Sequence, residues 1–307
     1  MTTPTIRVPD ADTAAIVMPR RFFGPDERRQ YETEGFLVLR HLLRRDELDD
    51  IVEWLRDVAR RRRELPSWHI IAEPDAPADP EDPLTAVRKF QALPNYPEAL
   101  RYFGAGTPAA EATRELLSGD DANPVDDLRL MFLSCFAKPA GHGTETPWHQ
   151  DQGLWPIWNP AATSCWVAID ECTPENGCLE FLRGSHRGGI VEHVMPEGSF
   201  HPYIPEDRID PERVVQVPMQ PGDAVFFDGR VLHYSPPNRS DRRRLGVVAV
   251  YSPDADLVRS IDISDWANNR IRAGQPLGSA DTFYQERVWV DAPRPSRAWQ
   301  PEPSGNG

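Results

Sequence analysis

His149 and Asp151 stand two residues apart in the segment TPWHQDQGLW, residues 146–155. On an extended backbone, residues i and i+2 project to the same side, so this spacing predicts an imidazole and a carboxylate aimed at one point. One more histidine arriving from elsewhere completes a face of two His and one carboxylate, the ligand set of non-haem Fe(II) oxygenases. Such a face leaves the other side of the metal open, where a bidentate co-substrate and then dioxygen can bind. By itself the pair is a weak signal. Its competing reading is a surface turn or a plain His–Asp hydrogen bond. Gln150, between the two, points to the opposite face and is expected to make structural hydrogen bonds.

The third ligand is expected from GDAVFFDGRVLHYSPPNRSDRRRL, residues 222–245. A Gly-Asp turn leads into an apolar strand, and His233 closes the strand after it. Eleven residues beyond His233, Arg244 opens the apolar strand LGVVAVY. A guanidinium at the start of a buried strand requires an anionic partner, because an unpaired buried charge is too costly. The far end of a dicarboxylate, met by the guanidinium fork, satisfies that requirement. Ser235 can add its hydroxyl to the same carboxylate. His41, His69, His142, His186, His193 and His201 compete with His233 for the third place. His142 lies in a Gly-flanked loop with no strand to aim it, and His186 reads as a structural hydrogen-bonding residue after a strand.

These side chains need a scaffold, and the chain supplies one mostly of strands. From Leu128 onward, LRLMFLSCFAK, TSCWVAIDEC, GCLEFLRGS, VVQVPM, DAVFFDGRVLHY and RLGVVAVYS are short apolar or alternating runs. Each is bounded by Pro, Gly, Asn or Asp, which predicts an antiparallel sandwich or barrel and not a βαβ array. Upstream, a short helix after Phe22 turns at Gly35 into a strand over 36–39. Leu48, Ile51, Val52, Leu55, Val58 and Ala59 then recur at helical spacing, and Arg60 to Arg63 close that helix as a solvated end. The Pro- and Asp-rich stretch 66–84 reads as an excursion that cannot pack as core, 87–93 as a strand, and 94–127 as loop plus one short helix.

Nine Trp and 12 Phe among 307 residues provide material for a real core, and 32 Pro with 20 Gly fit a loop-rich fold. A formal charge of −14 argues against nucleic acid and anionic membranes as partners, and favours a neutral or cationic small-molecule substrate. The four cysteines form no CxxC pair, and no apolar run reaches membrane-spanning length. The reading is a cytoplasmic protein with reduced thiols, monomeric or homodimeric.

Four ordered motifs carry a resemblance: YETEGFLVLRHLL, KPAGHGTETPWHQD, CWVAIDECTPENGCLEFLRGSH and PGDAVFFDGRVLHYSPPNRSDRRRLGV. Together, over about residues 27–252, the chain resembles the phytanoyl-CoA dioxygenase family of Fe(II)/2-oxoglutarate-dependent oxygenases. The resemblance implies a mainly β fold with flanking helices, a double-stranded β-helix or cupin-like jelly-roll barrel. That sets one domain over 21–295, with an N-terminal tail at 1–20 and a Pro-rich C-terminal tail at 296–307.

It also implies roles. His149, Asp151 and His233 match the iron ligands. Arg244 and Ser235 match the residues that take the distal carboxylate of 2-oxoglutarate, Trp166 an aromatic lining that pocket, and Lys89 and Ser134 further co-substrate contacts. The chain departs from the usual PGSH only in Arg183. The implied chemistry couples decarboxylation of 2-oxoglutarate by O2, giving succinate and carbon dioxide, to oxidation of an unactivated C–H bond. Halogenating relatives lack the carboxylate ligand. Keeping Asp151 therefore points to hydroxylation, desaturation or oxidative cyclisation. A metal barrel that does not use 2-oxoglutarate, and a barrel kept only for binding, remain the alternatives. Segments 66–86 and 190–212, with Trp155 and Trp158, are expected near the mouth, and a helix near 262–274.

Overall fold

The computed structural model describes residues 5–6, 16–17, 21–66, 69–91, 93–118, 125, 128–154, 162–194 and 202–253. In chain order the strands and α-helices are β1 (Thr5–Ile6), β2 (Ile16–Val17), α1 (Pro25–Glu34), β3 (Phe36–Leu39), α2 (Arg45–Arg60), β4 (Ile70–Ala72) and β5 (Val87–Phe90). There follow α3 (Pro97–Phe103), α4 (Pro108–Ser118), β6 (Leu128–Lys138), β7 (Thr146–His149), α5 (Asp151–Leu154), β8 (Thr163–Ala168) and β9 (Leu179–Leu182). The last four strands are β10 (Val214–Val217), β11 (Ala224–Asp228), β12 (His233–Ser235) and β13 (Arg244–Pro253).

Two antiparallel sheets make the barrel. The larger has the order β3-β11-β8-β13-β6-β5-β4, and the smaller β10-β9-β12-β7. Period-two alternation along β13 divides its residues between two environments. Leu245, Val247, Ala249 and Tyr251 face a core shared with α2, α3 and α4, where Ile51, Leu55, Phe103 and Ala112 are fully buried. Arg244, Gly246 and Val248 face the other way, toward the cluster of Trp166, Phe181, Val225 and Phe227 between the sheets. Each large apolar side chain removed from water contributes roughly 1.5–3 kcal/mol, so register is strongly fixed here: a one-residue slip would exchange the two faces.

The jelly-roll expectation is met, and Leu128–Lys138 spans the predicted run. The turn at Gly35 is also found. Its φ of 88° is left-handed, and a Cβ there would strike the His186 ring. His186 in turn donates from Nε2 to the Glu32 carbonyl at 3.1 Å, the structural role read from its loop.

Three expectations need correction. The stretch 66–84 does enter the core: Ile70 and Leu84 are buried against the helices, and β4 pairs with β5. The Pro and Asp residues cap and turn the segment, while its few apolar side chains fold inward. Region 94–127 holds two helices, α3 and α4, because five small or apolar residues of α4 line one buried face. His233 opens β12 instead of closing a strand, since the chain turns between Asp228 and His233 and crosses from the large sheet to the small one. Trp155, Trp158 and the 262–274 segment lie outside the described residues. All four cysteines are buried and free. Among the described residues no helix is long and apolar enough to cross a membrane.

Candidate metal centre

His149 ends β7 and His233 begins β12, and the two face each other directly across that strand pair. Their rings lie 4.1 Å apart between centroids. Asp151 reaches the same point by a different route from the one its spacing suggested. The strand stops at His149 and Asp151 is the first residue of α5, so a turn and not an extended i, i+2 repeat brings them together. Asp151 Oδ1 is 3.5 Å from His149 Nε2 and 3.7 Å from His233 Nε2. The three ligand atoms lie within 4.8 Å of one another.

Each imidazole is oriented from behind. Nδ1–H of His149 donates to the Pro147 carbonyl at 2.8 Å, and Nδ1–H of His233 to the Val231 carbonyl at 3.1 Å. A donating Nδ1 makes Nε2 the basic nitrogen, the tautomer a metal needs. Ser164 Oγ donates to Asp151 Oδ2 at 2.8 Å and leaves Oδ1 toward the imidazoles. Burial pushes the Asp151 carboxyl up, but His233, His149 and the Ser164 hydroxyl outweigh it and hold the group at about 2. Burial and the neighbouring His149 ring push His233 down to about 4. At neutral pH both groups are in their ligating forms. Two imidazole Nε2 atoms and a carboxylate on one face fit Fe(II), which would supply an electron-rich centre for O2.

Gln150 points away, as expected, and braces the loops that carry the ligands. Its Nε2 donates to the carbonyls of Gly189 and Arg230, 2.7 and 2.5 Å away, and its Oε1 accepts from Val191 N at 2.7 Å. Its own N–H donates to His193 Nε2 at 3.0 Å. Trp148 stacks on Tyr234 and packs among Leu182, Ile204 and Leu232, an ordinary packing role.

Arg244 is 2 % exposed. Its Nη2 donates to Ser235 Oγ at 2.9 Å, its Cζ lies 5.2 Å from the Trp166 ring, and its buried Nε has no hydrogen-bond partner. Among the described residues no carboxylate is paired with it, and burial pushes its pKa below the ordinary range. Ser235 Oγ donates to the Gly177 carbonyl at 2.9 Å while accepting from Arg244, so it orients the guanidinium instead of presenting a spare hydrogen. Register places Ser134, Val248 and Trp166 side by side on this same interior face. Lys89 pairs with Phe136 across β5 and β6, its Nζ 4.7 Å from the Phe136 ring centroid.

Sequence reasoning missed the roles of four residues of this region, one of which, His193, it weighed only as a competing ligand. Gly246 is one: a Cβ there would overlap the Trp166 indole, so only Gly lets the ring lie flat beside Arg244. The others are Ser164, His193 and Lys138. The available signals were a polar residue inside an all-buried strand for Ser164 and an apolar strand ending in Lys for Lys138.

A jelly-roll barrel with this triad on its small sheet defines an Fe(II)/2-oxoglutarate-dependent dioxygenase, the class to which this protein is assigned. Within that class, the chain belongs to the phytanoyl-CoA dioxygenase family, whose family model matches residues 31–246. It is 28 % identical over 254 residues to a probable phytanoyl-CoA dioxygenase of Caenorhabditis elegans, covering 78 % of each chain. Among solved structures it is similar to EvdO2 from Micromonospora carbonacea var. aurantiaca at 27 % identity and TM-score 0.55, covering 76 % of this chain and 94 % of that one. It also shares its fold with the epimerase SnoN in complex with Fe3+, alpha-ketoglutarate and nogalamycin RO, at 22 % identity and TM-score 0.53, covering 75 % and 83 % of the two chains.

Proposed function

We propose that His149, Asp151 and His233 hold the iron, that Arg244 receives the far carboxylate of 2-oxoglutarate, and that the protein oxidises an unactivated C–H bond of a small molecule in specialised metabolism. The observation that carries the reading is Arg244, a buried guanidinium with an unsatisfied Nε and no paired carboxylate among the described residues, on the interior of the triad's barrel. Trp166 packs beside that guanidinium, Ser235 orients it, and Lys89 and Ser134 line the approach. The barrel wall of Phe181, Phe227 and Trp166 excludes water and holds a C–H bond near the metal.

Retention of Asp151 favours hydroxylation, desaturation or ring formation over halogenation. A small metabolite suits the net charge of −14 better than an acyl-CoA, whose phosphates call for a basic surface. SnoN, an epimerase from nogalamycin biosynthesis that shares this fold, is in keeping with that choice. The test is oxygen uptake and succinate release by Fe(II)-reconstituted protein, screened by mass spectrometry against a metabolite library. Succinate formed in step with a product 16 mass units heavier, or 2 lighter, is the expected result. No dependence of oxygen uptake on 2-oxoglutarate would refute the assignment.

A further inference from the structure

Beside Arg244 lies a second buried cation. Lys138, the last residue of β6, sits directly opposite Arg244 on β13, and cross-strand partners share a face of the sheet. It is 3 % exposed. Its Nζ donates to three backbone carbonyls: Thr144 at 2.6 Å, Pro236 at 2.7 Å and Ser235 at 3.1 Å. Three acceptors match the three hydrogens of an ammonium group, whereas a neutral amine has two. Among the described residues no carboxylate lies within ion-pair distance of it.

The contacts run in one line. Lys138 grips the backbone of Ser235, and the Ser235 hydroxyl accepts from Arg244. Gly177 closes the arrangement, since its carbonyl takes the Ser235 hydroxyl and a Cβ there would meet the Pro236 carbonyl and the Lys138 stem. Burial, then Arg244 and Arg88, push the Lys138 pKa well below its ordinary value against the smaller opposing pull of Glu73 and Glu145, neither of which is within ion-pair distance.

We propose that Lys138 is a positioning residue for the far carboxylate of the co-substrate, holding Ser235 and adding a second buried positive charge beside Arg244. The proposal rests on the reading that Arg244 receives that carboxylate. Its consequence is discrimination: the pocket prefers a dianionic 2-oxo acid over one with the same chelating head and an uncharged tail.

Calorimetric titration of Mn(II)-loaded protein with 2-oxoglutarate and with 2-oxopentanoate, which lacks the far carboxylate, tests this without turnover. Lys138→Met and Lys138→Gln should weaken 2-oxoglutarate about tenfold, roughly 1.4 kcal/mol, and leave 2-oxopentanoate within about twofold. Lys138→Arg should recover most of the preference. Equal losses for both ligands, or an unchanged 2-oxoglutarate constant in a folded neutral variant, would overturn the proposal. So would failure of both neutral variants to fold, because Lys138 would then serve stability alone. Arg244→Ala is the separate control: if it keeps the preference for the dianion, the Arg244 reading fails whatever Lys138 does.

Discussion

The two polar regions inside this barrel are built on opposite principles. At the metal centre every charge has an answer within the protein: Asp151 lies against two imidazoles, and each imidazole is pinned by a carbonyl. In the neighbouring region Arg244 and Lys138 bond to a hydroxyl and to carbonyls, and among the described residues neither is ion-paired with a carboxylate. The first region is finished before its ligand arrives, and the second is left with uncompensated charge. The metal centre sits on the short strands β7 and β12, held by side-chain bonds to loops. The two cations sit on the long strands β6 and β13, whose ladder sets Lys138 opposite Arg244. A finished site gains affinity from geometry. An uncompensated one gains it from charge, and the two should break differently.

The largest effect belongs to the finished site. His149→Ala, Asp151→Ala and His233→Ala should each abolish turnover by losing iron, because all three donors are needed on one face. The barrel should remain folded, since the larger core shared with α2, α3 and α4 contains none of these residues. Metal analysis beside circular dichroism gives the readout. Full iron content and activity in any one variant would remove that residue from the triad.

Next comes the uncompensated pocket. Arg244→Ala strips the guanidinium fork from the buried far carboxylate and leaves it only the charge of Lys138, a loss on the order of 3–5 kcal/mol, so the apparent constant for 2-oxoglutarate should rise at least a hundredfold. Iron content should stay near normal. Arg244→Lys should rescue only in part, because a point charge lacks the fork. Its neighbours provide the contrast. Arg242 is largely exposed and bonds Glu171, while Arg243 bridges Asp170 and Asp82 at the surface. Titration of Arg242→Ala and Arg243→Ala should give the wild-type constant. Transfer of the defect to either would show that the wrong arginine has been assigned.

A smaller change should reach the same pocket through its wall. Gly246→Ala puts a methyl group where the Trp166 indole lies and pushes the ring toward Arg244. Overpacking of this kind typically costs about 1–3 kcal/mol. The expectation is a five- to fiftyfold weaker 2-oxoglutarate constant, with iron binding and the spectrum of the metal unchanged. A melting temperature that falls while the co-substrate constant stays put would assign Gly246 to packing only.

How much of this was legible in the sequence follows from where the information resides. Alternation along LRLMFLSCFAK and RLGVVAVYS marked the ladder, and a charged residue at the head of an apolar run marked Arg244. Those signals are local. Asp151 was read correctly as a partner of His149, yet for the wrong backbone reason, because nothing local announces that the strand ends at His149. The burial of Ile70 and Leu84 was hidden by the Pro and Asp residues around them, whose turns are what fold those two side chains inward. What Lys138 and Gly246 do was hidden for another reason, although the Lys at the end of an apolar strand could have been noticed. Their roles depend on what lies across the strand pair, and cross-strand neighbours are set by register, not by sequence proximity.

The smallest expected effect separates the two regions by pH. His233 and His193 both sit near 4, pushed down first by burial and then by the neighbouring His149 ring. For His193 the geometry agrees: Nδ1–H donates to the Val191 carbonyl at 2.9 Å and Nε2 accepts from Gln150 N–H, so a second proton would break the brace behind the ligands. An unfolded histidine titrates near 6.5. Between about 4 and 6.5, then, the unfolded chain binds more protons than the folded one, and stability must rise with pH through that window and level off above it. Asp151, at about 2, acts only below it. Each such group adds at most about 1.4 kcal/mol per pH unit. His69 and His186 are likewise pushed down by burial, so the total slope is shared and the variant difference is the decisive quantity. Metal-free His193→Gln should show a shallower rise of melting temperature between pH 4.5 and 6.5 than wild type, and the same plateau slope above pH 7. Arg244 and the far carboxylate keep their charges from pH 6 to 8, and three carbonyl acceptors hold Lys138 as an ammonium, so 2-oxoglutarate affinity of metal-loaded protein should stay flat there. An identical acid slope in His193→Gln would show that this imidazole is protonated in the folded state, and the brace it forms with Gln150 would have to be redrawn.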